Sequence, residues 1–452
     1  MQLKMKNVKF IYLFLLVLLA ASCAKDELFD PTVQSADSVA LKSASKLKIA
    51  VISDLHYISP TLLPGNPETD PDFQMYLAQD PKLIALSDPI LKQAFAELKM
   101  EKPDILLIPG DLTKDGEMAN HQIVSGLLHE LADMNVKIFV VPGNHDINNS
   151  DALDFSTSPP TLAAHTSVDD FTSVYGDFGF DDAIYKDENS LSYICAVNDK
   201  LWVLGIDACR YEDNEPGKSP ITGGRIKEET MAWIEEKMVE ASENGIEVLA
   251  IMHHGILQHY VGQETTDPGY LVADWPERAG RLMNAGIKLV FTGHYHANDI
   301  SQIAATKNTF SDIETGSMVT APCSYRIMTL DDNFIKIESR RITKIDYPFP
   351  QGINFVTYSN MFLSGHLDGY FNYILQNIYG VPEEQAVMVA PYLRNGVMAH
   401  YAGDEKIKPD EKMKLNQLAL VVPPESSFLI DVINSFWTDL PISDTQVHIK
   451  LK

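Results

Sequence analysis

Residues 104–146 read DILLIPGDLTKDGEMANHQIVSGLLHELADMNVKIFVVPGNHD. In order they hold an apolar run (Asp104 to Pro109), a glycine–aspartate pair, and apolar residues at three- and four-residue spacing from Ala119 to Met134. A second apolar run (Lys137 to Val141) and a second glycine followed by polar residues complete the stretch. The middle spacing predicts an amphipathic helix, and the two flanking runs predict strands. Strands apolar on both faces are ordinarily covered by helices on both sides, as in layered α/β folds. Each strand ends on a glycine, where the chain must turn sharply, with acidic, amide or imidazole side chains just beyond.

The pattern continues outward. Leu47 to Ser53, Leu201 to Ile206, Val248 to Met252 and Ile287 to Thr292 are further strand-like runs; Lys92 to Lys102, Ile226 to Ser242 and Trp275 to Ala285 are further helical ones. Near-alternating runs at Ser317 to Leu330 and Asn333 to Ile345 predict antiparallel strands that close the domain. Four long insertions (59–86, 149–189, 208–224 and 257–273) follow strand ends, where loops of open α/β sheets carry function. After Tyr347-Pro348-Phe349-Pro350 the composition shifts to helical periodicity from Asn354 to Trp437, expected to break at Pro382, Pro391, Pro409 and Pro423-Pro424. A terminal strand is expected over Gln446 to Leu451.

At 452 residues the chain exceeds what one core usually holds, so two domains are expected. The formal net charge of −26 argues against nucleic-acid binding, which needs a basic face. Lys4, Lys6 and Lys9 lead into an apolar run, Phe10 to Ala21, too short to span a bilayer but suited to a signal peptide. Leu19-Ala20-Ala21-Ser22-Cys23 resembles a bacterial lipobox, with Cys23 as the lipidated residue; the alternative is a plain secretory signal. The layout is then a signal peptide over 1–22, a Ser/Ala/Asp-rich tether over 23–46, an α/β domain over 47–346 and a mostly helical domain over 347–452. The protein is expected outside the cytoplasm, meeting a membrane only through its anchor. Cys195, Cys209 and Cys323 show no metal-type spacing and define no disulfide framework.

Six of the 13 histidines (His56, His145, His253, His254, His294 and His296) directly follow strand-like runs. Asp54-Leu55-His56 and Gly293-His294-Tyr295-His296 place polar groups at i and i+2, which point the same way on extended chain. Together with Asp111 and Asn144 the set mixes carboxylate, imidazole and amide donors, as a pair of divalent ions requires.

These motifs in order, D-x-H, G-D, G-N-H-D, a strand-end histidine and G-H-x-H, resemble the calcineurin-like metallophosphoesterase superfamily over roughly residues 47 to 345. The resemblance implies a layered sandwich of two mixed sheets flanked by helices and two divalent ions of manganese, iron or zinc. One ion would take Asp54, His56, Asp111 and His296; the other Asp111, Asn144, His253 and His294. His145 would protonate the leaving oxygen after attack by a metal-bridging hydroxide, with Asp146 or Asp115 orienting its imidazole. His254 would stand behind the ligands or face substrate.

Departures narrow the substrate. Purple acid phosphatases carry tyrosine where this chain has Lys114, and protein phosphatases carry an arginine that Gly110-Asp111-Leu112-Thr113-Lys114-Asp115-Gly116 lacks. The C-terminal region is too short for the substrate domain of secreted 5′-nucleotidases. The remaining likeness is to bacterial cyclic-nucleotide and glycerophosphodiester phosphodiesterases, although their H-H-P here reads His253-His254-Gly255. A small phosphodiester is therefore the expected substrate. The alternatives are an extracytoplasmic phosphomonoesterase, or a surface-binding lipoprotein with a vestigial metal site. Oligomeric state is left open.

Other histidines have blander readings. His259 and His165 lie in insertions and are expected to be solvated, with substrate contact as the alternative; His121, His129, His366, His400 and His448 are expected to be ordinary surface or core residues. Tyr370, Phe371, Tyr373 and Tyr379 fall at helical spacing and are expected in the core.

Overall fold

The computed structural model describes residues 46–305, 308–331, 333–403, 405–421 and 427–451. The leader, most of the tether and Cys23 lie outside the described residues. Along the first half run β1 (Leu47–Val51), α1 (Pro71–Leu77), α2 (Ser87–Glu101), β2 (Ile105–Pro109), α3 (Met118–Ala132) and β3 (Lys137–Val141). A two-residue ladder, β4 (Leu153–Asp154) with β5 (Thr161–Leu162), then leads to α4 (Val168–Val174). The second half holds β6 (Tyr185–Lys186), β7 (Tyr193–Asn198), β8 (Leu201–Ile206), α5 (Glu228–Asn244), β9 (Glu247–Met252), α6 (Gln263–Thr266), α7 (Trp275–Asn284) and β10 (Leu289–Thr292). It closes with β11 (Ile300–Ala304), β12 (Thr309–Glu314), β13 (Ser324–Leu330) and β14 (Phe334–Arg341). Four helices follow, α8 (Phe355–Asn377), α9 (Glu383–Ala402), α10 (Pro409–Val421) and α11 (Phe428–Phe436), and then β15 (Gln446–Lys450).

The strands make two mixed sheets, in the orders β15-β14-β13-β1-β2-β3 and β11-β12-β10-β9-β8-β7-β6. β1, β2 and β3 are mutually parallel, as are β8, β9, β10 and β12. The reason lies in the sequence: β2 (ILLIP) and β8 (LWVLGI) are buried along their whole length, so each needs cover on both faces. A central core joins Ile105 and Leu107 of the first sheet to Val203, Leu249 and Phe291 of the second, together with α2 residues Ile90, Leu91 and Phe95. A separate core packs Ile234 and Met238 of α5 and Leu282 of α7 on the far face of the second sheet. Each fully buried Ile, Leu or Phe contributes about 1.5–3 kcal/mol. An aspartate at Leu107 would break this layer.

Helix ends follow local chemistry. Glu228 and Glu229 sit in the first turn of α5, where the helix dipole favours negative charge, and Gly245 closes it with φ 63°. Ser167 and Asp170 form a capping box on α4.

Several elements differ from expectation. The run 317–330 becomes strand only from Ser324, because residues 317–323 turn back toward β1. Pro391 lies inside α9 rather than ending it. Its missing N–H costs about 3 kcal/mol, which the continuous buried face Val389, Ala390, Leu393 and Val397 offsets. Tyr370, Tyr373 and Tyr379 are exposed, not core. The C-terminal helices bury Leu363, Leu367 and Val397 against Tyr260, Tyr295 and Ala321 of the strand-bearing region, and β15 returns to pair with β14. No helix among the described residues is long and apolar enough to cross a membrane.

Candidate metal centre

Parallel strands deliver their carboxyl ends to a common edge. Past β1, Asp54 N–H donates to Gly110 O (3.2 Å) and His56 N–H to Asp111 O (3.0 Å), so the two loops run side by side. Across the sandwich, Asp54 accepts the His294 N–H at 3.1 Å. Five of the polar side chains here stand on left-handed backbone: Asp54 (φ 51°), His56 (36°), Asp111 (49°), His294 (77°) and His296 (68°). This corrects the extended-chain reading of D-x-H and H-x-H: the side chains converge because the backbone curls around them. Such conformations cost about 1–3 kcal/mol each and cluster at functional sites. Gly110 takes φ 87°, and a Cβ at Gly143 would overlap the Asp111 carboxylate and backbone nitrogen, so glycine is required at both.

The side chains form three overlapping groups: Asp54, His56 and His296; His56, Asp111 and His145; and Asp111, His253 and His294. His56 Nε2 lies 3.2 Å from His296 Nε2 and 3.5 Å from Asp111 Oδ2. His253 Nε2 lies 3.3 Å from Asp111 Oδ2 and 3.1 Å from Asn144 Oδ1. His296 Nε2 lies 3.5 Å from Asp54 Oδ1. Donor atoms bound to one cation at about 2.0–2.2 Å sit roughly 3.0–3.5 Å apart, so the spacing fits shared cations. Three of the four remaining ring nitrogens are anchored: His253 Nδ1 on Pro109 O (2.8 Å), His296 Nδ1 on Thr320 Oγ1 (3.0 Å) and His294 Nε2 on Gly269 O (3.2 Å), whereas His56 Nδ1 has no partner among the described residues. Such partners fix which nitrogen offers its lone pair.

Electrostatics agree with a cation site. Burial, then Lys82, holds His56 well below the ordinary histidine range; burial, then His254, does the same for His294. Both stay neutral and can donate a lone pair. At His253, burial is outweighed by Asp111, which lifts it to about 9. That proton stands where a divalent cation would satisfy Asp111 instead.

His145 is the most open of these imidazoles. Its Nδ1 lies 2.8 Å from Asp115 Oδ1. The carboxylate can only accept, so Nδ1 carries the proton and Nε2 is left free. Burial opposes charge on His145, but Asp111 and Asp115 outweigh it and raise its pKa. Asp115 is itself held down to about 2, against burial, by Lys114 and His145. The fully buried Lys114 ammonium contacts Asp115 directly and lies 3.3 Å from Glu117 Oε1. Asp146 has a different part: it accepts backbone N–H groups of Leu112 (3.2 Å), Thr113 (3.1 Å) and Gly143 (2.8 Å), tying the two loops together. Of the two candidate orienting carboxylates, the geometry selects Asp115.

His254 packs on His253 and His294 and points Nε2 at Thr222 O, 2.8 Å away, behind the ligand-type residues. His165 is exposed. His259 is not a solvated loop residue: it is fully buried, 2.5 Å from Asp299. Sequence reading passed over Lys114 except as a departure, and over Thr320, Lys82 and Tyr270, whose ring lies 4.7 Å from that of His294. Only Lys114 left a signal, a Lys-Asp-x-Glu charge run flush against a strand end.

Residues 47–298, more than half of the chain, match the family described as calcineurin-like phosphoesterase. The chain belongs to that family, whose members are metal-dependent phosphoester hydrolases. It is 32% identical over 66 residues to a probable cyclic nucleotide phosphodiesterase of Vesicomyosocius okutanii, covering 15% of this chain and 27% of that protein. A second probable cyclic nucleotide phosphodiesterase, from Pseudoalteromonas, is 35% identical over 54 residues, covering 12% and 20%. The chain thus spans about a quarter of the length of these curated relatives. Among solved structures, a dimetal phosphatase from Danio rerio aligns with TM-score 0.44 and 15% identity, covering 65% of this chain and 96% of that one.

Proposed function

We propose that the protein hydrolyses phosphodiesters at a two-cation centre formed by Asp54, His56, Asp111 and His296 on one side and Asp111, Asn144, His253 and His294 on the other, with Asp111 shared. The observation that carries this reading is the meeting of these seven side chains at one edge with the partly exposed His145, held by the buried Asp115. Divalent cations bound there supply Lewis acidity, neutralise phosphate charge and make water more acidic. The protein's own groups do the rest. In its imidazolium form, which Asp111 and Asp115 favour, His145 carries a second proton at Nε2 for a departing oxygen, while Asp115 accepts from Nδ1–H, orients the ring and stabilises its charge. Lys114 and Glu117 keep Asp115 ionised and in place, and Asp146 holds the loops that carry Asp111 and His145. Preference for diesters is supported by the stated activity of the two bacterial relatives. Lipid attachment at Cys23 and an extracytoplasmic location belong to the same proposal and rest on the leader sequence.

The test is to strip the metal from the protein, add back manganese, zinc or iron, and assay bis-p-nitrophenyl phosphate against p-nitrophenyl phosphate. Activity restored by metal, greater on the diester, and abolished in Asp111→Asn is expected, with His145→Ala losing much less on these p-nitrophenyl esters than on an alkyl diester. Preferential turnover of the monoester would overturn the diester assignment, and failure to bind two cations at this edge would overturn the mechanism.

A further inference from the structure

Where the C-terminal helices meet the second sheet, the structure buries a cluster of carboxylate and imidazole side chains. Asp299, just ahead of β11, His400, in the last turn of α9, and Glu405, just beyond it, are all at least 95% buried. Their ligand-type atoms lie within 4.8 Å of one another. His400 Nδ1 is 2.9 Å from Glu405 Oε1 and 3.8 Å from Asp299 Oδ2. Asp444, just ahead of β15, joins through Glu405 in an adjoining group.

Among the described residues, Asp299 Oδ2 and Glu405 Oε2 have no hydrogen-bond partner, nor does Nε2 on the other side of the His400 ring. The neighbouring cation does not serve them. Arg326, fully buried, gives its terminal N–H groups to the backbone carbonyls of Asp444 (2.6 Å), Asp299 (3.1 Å) and Glu314 (2.6 Å), and to Ser339 Oγ. His259 binds the other oxygen of Asp299 and faces Asp312 and Glu314. Burying carboxylates without partners is costly, and a bound cation or a proton relieves that cost.

We propose that Asp299, His400 and Glu405 form an additional, structural site for a divalent transition-metal ion such as Zn2+ or Mn2+, which pins the C-terminal helices to the sheet. Imidazole together with carboxylates suits these ions, whereas Ca2+ and Mg2+ prefer oxygen alone. The ligands come from two distant segments, Asp299 and the helix end carrying His400 and Glu405, that meet only in the folded chain, so the ion would stabilise the folded state. Glutamine at position 405 keeps the size and shape of the glutamate and removes its negative charge.

The experiment is anomalous diffraction at the zinc and manganese edges on metal-loaded full-length protein, with bound metal per chain counted in parallel for wild type and Glu405→Gln. A peak among Asp299, His400 and Glu405, and loss of about one equivalent in Glu405→Gln with the catalytic edge still loaded, is the expected result. No peak there while the Asp111 centre is loaded, with equal stoichiometry in the two proteins, would overturn the proposal and leave protons as the counter-charge. If Glu405→Gln does not fold, the wild-type map decides alone. Because the two centres are read by position, a failure of the catalytic assignment shows as a missing peak at Asp111 and is not confused with this one.

Discussion

Asp115→Asn preserves the shape beside His145 and removes the charge. The wild-type carboxylate lies 2.8 Å from His145 Nδ1 and is kept ionised by the buried Lys114 ammonium. A hydrogen bond to a charged group is worth about 1.5–3 kcal/mol. If that stabilisation is realised while His145 delivers its proton, the substitution lowers kcat about ten- to 150-fold, at one decade per 1.36 kcal/mol. The loss should depend on the leaving group. An alkoxide needs the proton as it departs, whereas p-nitrophenolate leaves readily without one, so an alkyl diester should suffer the full loss and bis-p-nitrophenyl phosphate much less. Steady-state kinetics on both esters, with His145→Ala as the reference and metal content and unfolding midpoint checked, measures this. Unchanged kcat on the alkyl ester in a folded, metal-loaded variant would refute the reasoning, as would equal losses on both esters.

Gly143→Ala forces a Cβ into the Asp111 carboxylate and backbone; misplacing a bridging ligand by this much should cost about 100-fold in kcat/KM, with weakened metal retention by elemental analysis. Lys114→Met strips the counter-charge from buried Asp115 and Glu117 and should destabilise the fold by about 3–5 kcal/mol in urea titrations. His121, buried against Thr113, Asp146 and Tyr175, has its pKa lowered to about 3 by burial. Below the unfolded value near 6.5 the unfolded chain binds the extra proton, so this contribution is fully present above pH 6.5. It is lost by about 1.4 kcal/mol per unit as pH falls toward 3. His121→Asn should flatten the slope of stability against pH between 6 and 4, and an unaltered slope would exclude His121 as its source.

The central parallel strands and their covering helices between residues 47 and 346 were legible because their apolar runs must be buried on both faces, whereas β11, β12, α1 and α4 carried no such signal. The metal-type residues were legible for a related reason: ligands at strand ends come in short local motifs, so Asp54 with His56 and His294 with His296 announce themselves as pairs. Pro391 and the exposed Tyr370, Tyr373 and Tyr379 misled for the converse reason, since packing between α8 and α9 overrides local preference and decides which face is covered.

What the sequence determined by itself was the class of centre: which residue types, in which order, at which strand ends. Tertiary structure decided which of them meet. Asp54 touches His294 across 240 positions, and Asp111 faces His253 only because two sheets share one edge. Spacing could not separate Asp115 from Asp146: Asp146 is the chain neighbour of His145 yet turns to the backbone N–H groups of Leu112, Thr113 and Gly143, while Asp115, 30 residues away, meets the ring. Nor could it foresee Asp299, His400 and Glu405 as neighbours. Local patterns record what a segment must bury or bind, whereas contacts between distant segments follow from packing, which no single segment encodes.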